Sequence, residues 1–182
     1  MRPARVGALI GAVGGVLFVA INAGAVPQPW PAYVRGAGAV SFLLVVWLVL
    51  RVPDDPNAYA PDSRQLQAFW ITVALEVVAI VGGAQLFIRV FDRPDATLPW
   101  VAIVLGVHWL VFHVVFTQDV FVWLGWLTLA CGVVGMVVAL TRAGPPESVA
   151  IVSGVLTGVV MLGCVGVDAS RTRRALLRWR QT

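Results

Sequence analysis

Charge is scarce in this sequence. Charged residues make up 12% of it, the basic ones are all arginine, and lysine does not occur. Hydrophobic residues reach 59%, with a mean hydropathy of +0.88, whereas a soluble domain runs to about one-quarter charged residues. The shortage excludes a water-soluble fold, because a chain of 182 residues lacks the polar groups to cover its own surface. Cysteine is nearly absent too. Cys131 and Cys164 form no Cys-x-x-Cys pair, which argues against a thiol–disulfide oxidoreductase. Their depths in the apolar runs described below differ by roughly 10 Å, too far for a disulfide. Both read as small packing residues.

Histidine is equally sparse, with only His108 and His113. Five residues separate them, about 140° around a helix, so the two imidazoles cannot share one ligand. No other apolar run carries a histidine, which argues against a haem held between facing helices. No metal and no cofactor is expected. A sequence pI near 10.0 raises nucleic acid as a partner, but the arginines cluster at the ends of apolar runs, as membrane proteins use them. No nucleic-acid partner is expected. There is no nucleotide-binding loop, hydrolase elbow or lipid-attachment motif.

Six apolar runs are present, at about residues 6–26, 33–50, 65–89, 98–116, 120–140 and 148–167. Each has the roughly 20 residues that a helix needs to cross about 30 Å of hydrocarbon. None alternates in polarity as a barrel strand does. The fold class predicted is all-α: a polytopic helical bundle with six transmembrane helices in a single domain. Polar turns separate the runs. Pro53, Pro56 and Pro61 exclude a continuous helix through the longest of them. Asp54 and Asp55, which lie in it, read as a solvated loop and not as a metal or diphosphate site. Asp62 and Gln65 have capping-box spacing, so the third helix is predicted to start there. Ala23-Gly24-Ala25 has the look of a signal-peptide cleavage site, but the run before it is long for that purpose. We expect it to be retained as a span.

Arginine sets the expected orientation. With six spans both termini share a side, and that side holds nine arginines against four (Arg35, Arg89, Arg93 and Arg142) on the other. The positive-inside rule then puts both termini in the cytoplasm of a bacterial cell, with the chain in its plasma membrane. Residues 171–182 read as a basic amphipathic tail lying against anionic inner-leaflet headgroups. In the first run Gly7, Gly11, Gly14 and Gly15 fall on one face, where bare glycine admits a close neighbour, either inside the bundle or in a second copy. Val13-Gly14-Gly15 with Pro29-Trp30 is echoed by Val81-Gly82-Gly83 with Pro99-Trp100, a pattern duplicated hairpins would leave but one that a Gly- and Val-rich chain also produces by chance, which is the reading preferred.

The candidate chemistry lies in the third and fourth runs. Glu76 and His108 each sit about ten residues, or about 15 Å, inside their runs from opposite ends. An antiparallel hairpin brings them level near the bilayer centre. An acid there costs several kcal/mol unless it is protonated, paired or wet. Two readings stay open. One is a buried acid/base pair, with Thr72, Trp109 and Phe112 lining a pocket for a lipophilic small molecule and Trp70 and Phe116 nearby. The other is an interhelical contact that locks two helices together. His113 reads as interfacial, satisfied near Gln118 and Asp119.

The residues Leu75-Glu76 through Gly82-Gly83, then Pro99-Trp100 and Val104 to His108, resemble a group of small multi-spanning membrane proteins of high-GC bacteria. The resemblance covers mainly the third and fourth runs and implies no activity. The predicted function is therefore a small helical-bundle carrier, accessory or scaffold protein. The alternative is an intramembrane acid/base enzyme, such as an isomerase or a proton-initiated terpenoid cyclase, using Glu76.

Overall fold

A computed structural model describes residues 3–53 and 61–179. The Asp54–Asp55 loop, Arg180 and the last two residues of the tail lie outside the described residues. The described residues form seven α-helices: α1 (Pro3–Asn22), α2 (Pro31–Arg51), α3 (Ser63–Arg89), α4 (Thr97–Phe116), α5 (Asp119–Thr141), α6 (Glu147–Ala150) and α7 (Thr157–Trp179). No strand occurs among the described residues. A π-helical segment, Ile151–Leu156, joins α6 to α7, so these form one continuous rod. The result is six helices long and apolar enough to cross a membrane.

The helix ends follow local chemistry. Asp62 caps α3: its Oδ1 accepts from the Gln65 backbone N–H at 2.8 Å, and Gln65 Oε1 accepts from the Asp62 N–H at 3.1 Å. This is the reciprocal box that the spacing predicts. Helix α4 ends at Thr117, held left-handed at φ 52, with its N–H donating to the His113 carbonyl at 2.7 Å. That geometry turns the chain into α5 within two residues.

The core has two main centres. Ala12 and Val19 of α1, Val45 and Val49 of α2, and Leu162, Val165 and Ala169 of α7 form one. Trp109 and Phe112 of α4, Leu124 of α5 and Met161 of α7 form the other. Glycine sets the closest approaches. A Cβ on Gly158 would lie 2.5 Å from the Gly15 carbonyl oxygen, and one on Gly106 would lie 2.6 Å from the Leu129 nitrogen. The α1–α7 and α4–α5 pairs therefore pack backbone to backbone. Gly11, Gly14 and Gly15 all face α7, so this glycine face is occupied within the chain.

The helix of the last span continues past residue 167 to Trp179, and the basic segment extends it without a break. The duplicated-hairpin echo has no counterpart in packing. Helix α1 is a core element, whereas α3 contributes no buried residue at all. Gly83 packs on Trp100, but Gly82 meets nothing within 4 Å.

Candidate functional site

Helix α3 lies at the edge of the bundle and packs on α4 and on the 3-10 turn Pro94–Ala96 that leads into it. The contacts form a ladder along the antiparallel pair. At one end Gln65 Nε2 donates to the Val115 carbonyl at 2.9 Å. Next, the Phe69 and Phe112 rings stack at 5.3 Å. In the middle Glu76 Oε2 comes to 2.9 Å from His108 Nδ1. Towards the far end Trp100 Nε1 donates to the Ala79 carbonyl at 2.8 Å, its indole pressed against Gly83.

The Glu76–His108 contact joins the two residues that depth counting places level. The distance is short, but the approach is out of line, and Nδ1 has no geometrically sound hydrogen bond. The contact is therefore electrostatic more than directional. The imidazole is 7% exposed and the carboxyl 15%, so the carboxyl sits on the open side of the α3–α4 seam. Phe112 packs on the imidazole at 4.0 Å and Trp109 edge-on at 5.2 Å.

The remaining sequence-selected residues divide. Trp109 and Phe112 are brought to the pair and buried. Thr72 lies one turn before Glu76, but its hydroxyl donates back to the Ala68 carbonyl at 2.8 Å, which uses its proton within the helix. Trp70 is 66% exposed and meets the Phe69 ring edge-on at 5.2 Å. Phe116 meets Phe112 at 5.4 Å, two turns from His108. His113 Nδ1 lies 3.0 Å from the Gln118 carbonyl, so the turn after α4 satisfies it. Cys131 and Cys164 are free thiols. No group of three or more His, Cys, Asp or Glu able to hold a metal occurs among the described residues.

Sequence reasoning missed a second polar cluster, between α5 and the last span. The π segment brings Ser153 Oγ to the Cys131 carbonyl at 3.3 Å and lays Gly154 against the Asn22 side chain. Thr128 and Thr157 are fully buried there, with the Thr157 hydroxyl beside the Cys131 thiol. Only the glycine beside each of Ser153 and Thr157 signalled close packing. Two cavities, one lined by Arg5, Asp119 and Asp168 and the other between α2 and α7, lie away from Glu76, His108 and Thr72.

These elements define the class: an all-α chain whose six long apolar helices have the architecture of a multi-pass membrane protein. Compared with models of protein families, with curated proteins and with solved structures, the chain matches none.

Proposed function

We propose that the chain is a non-catalytic membrane bundle of the accessory or scaffold kind, in which Glu76 and His108 fasten a peripheral helix to a five-span core. The observation that carries this reading is the packing of Glu76. Its carboxyl meets His108 at 2.9 Å, and aromatic rings close around the imidazole. A carrier needs a polar route through the bundle, and an enzyme needs room for its substrate beside the acid. The arginine count supports a plasma-membrane placement with both termini cytoplasmic and the basic end of α7 near anionic headgroups. The lipid-facing glycines Gly7, Gly36, Gly82 and Gly163, which meet nothing within 4 Å, are the glycines left for contact with a second copy.

The rival reading, an acid/base enzyme acting on a lipophilic substrate, draws on the carboxyl's remaining exposure on the seam and on the aromatic rings beside it. Thermal unfolding in detergent of the wild type, Glu76→Gln and Glu76→Ala, with mass spectrometry of co-purifying lipophiles, separates the two. The scaffold reading expects Glu76→Ala to lose on the order of 1–2 kcal/mol. For a chain of this size that is a Tm drop of about 2–8 °C. Glu76→Gln should fall between, and the lipophiles should stay unchanged. Both variants melting like the wild type while losing a bound lipophile would overturn it in favour of the enzyme.

A further inference from the structure

We propose that the basic end of α7 is a docking surface for an acidic α-helix of a partner protein, an inference that rests on the accessory reading above and names the partner's chemistry. Along α7, Leu162, Val165 and Ala169 are buried and Leu176 is half-buried. Their spacing of i, i+3, i+7 and i+14 places them within about 60° of one another, so one stripe of the helix faces the bundle. Counted at about 100° per residue, Arg171, Arg174 and Arg178 fall about 180°, 120° and 160° from Leu162. All three are therefore turned away from the bundle, and all three are exposed. Arg171 acts on Asp168 from one turn away. Arg174 and Arg178 have no ion pair or hydrogen bond through their side chains among the described residues. Ala175 and Leu177, also exposed, flank the stripe, so apolar contact is available on both sides of the charges.

The continuity of α7 decides between a membrane surface and a protein. The helix runs unbroken from Thr157 to Trp179, so the basic segment follows the axis of the span and does not fold onto the bilayer. The apolar run ends at Val167. From there Arg171 stands about 6 Å along the axis, Arg174 about 10 Å and Arg178 about 16 Å. One headgroup layer is only about 5–8 Å deep. Arg171 is thus at headgroup level, and the other two lie beyond it. Leu176, which an interfacial helix would bury in lipid, faces the bundle instead.

Charge complementarity then sets the partner. Arginines at i, i+3 and i+7 match carboxylates repeated at the same interval along a neighbouring helix, and each guanidinium can take one carboxylate in a two-pronged pair. A helix with its acids spread all round would meet the stripe with one or two of them at a time. The pattern of the acids, and not their number alone, is therefore what this surface reads.

The test uses the full-length protein in phosphatidylcholine nanodiscs. The probe is a fluorescent, alanine-rich helical peptide of about 20 residues with glutamate at every third and fourth position. A peptide of the same composition with its glutamates all round the helix is the control. The wild type should bind the striped peptide about tenfold more tightly than the control. The double variant Arg174→Glu, Arg178→Glu should lose that preference at an unchanged melting point and prefer a striped peptide with lysine in place of glutamate. Equal binding of the two glutamate peptides by the wild type overturns the proposal, as does undiminished preference in the double variant. On a background lacking Cys131 and Cys164, an environment-sensitive dye on Leu177→Cys should report water whether or not the disc contains phosphatidylglycerol. A blue shift with phosphatidylglycerol overturns the proposal in favour of a membrane surface. The wild-type comparison decides even if a variant misfolds. Failure here leaves the Glu76 melting result untouched, and a lipophile lost from the Glu76 variants strikes the accessory reading while peptide binding stands, so the two fall separately.

Discussion

A glycine next to a tryptophan shows how much one hydrogen atom can carry. Trp100 lays its indole on Gly83 and sends its N–H to the Ala79 carbonyl, so the missing side chain and the hydrogen bond depend on each other. Gly83→Ala puts a methyl where the indole nitrogen lies, and the ring must turn out and lose its acceptor. We expect a loss of about 1–3 kcal/mol, read as a Tm drop in detergent. Its neighbour is the control. A Cβ on Gly82 meets nothing within 4 Å, so Gly82→Ala should be neutral, or stabilising by up to about 1 kcal/mol through helix propensity. If the two substitutions melt alike, the Trp100 contact does not hold α3. Glu76 belongs to the same ladder but works differently: it attracts His108 across the seam, while Gly83 only makes room.

At the scale of elements, α3 stands apart. It spans 27 residues with none buried, whereas half of the apolar window in the final span is buried inside the bundle. Its links to the rest run through α4 and the Pro94–Ala96 turn and include the Phe69–Phe112 stack, the Phe87–Trp100 ring contact, the close Glu76–His108 contact and the side-chain-to-backbone hydrogen bonds of Gln65 and Trp100. Helices with few buried contacts open first. In hydrogen exchange of the detergent-solubilised protein, α3 amides should lose protection before those of α4 and α5, and Glu76→Ala should widen the gap. Equal protection of α3 and α5 would mean that the seam is stronger than its contacts suggest. The final span owes its burial to a different device. Its π segment, Ile151–Leu156, shifts the register so that Ser153 and Thr157 both face inward, beside glycines that admit α1. A π turn is a common mark of a constrained or functional position in a helix.

At the scale of the whole molecule, α5 alone separates Gln118 from Arg142, so a bundle that spans a bilayer holds the two on opposite sides. On a background lacking Cys131 and Cys164, a membrane-impermeant thiol reagent applied to intact cells should label Arg142→Cys and spare Gln118→Cys. The reverse pattern would invert the arginine-based orientation, and labelling of both would break the six-span topology.

Span number, helix class, the α3 cap at Asp62 and the level placement of Glu76 with His108 were legible in the sequence. Each depends on local chemistry or on counting residues along a helix of constant rise. Phe116 joins the aromatic cluster through Phe112, whereas Trp70 is largely exposed, a difference set by the face each ring occupies and not by its distance along the chain. Tertiary structure alone decided that α1 is central and α3 peripheral, although the two runs are similarly apolar and carry similar glycine pairs. In a bilayer, lipid and protein interior are alike in polarity, so hydropathy cannot tell a buried helix from a lipid-facing one. That choice rests on the fit of Gly15 to Gly158 and of Gly106 to the Leu129 backbone. Such complementarity between distant segments exists only once the helices are in place.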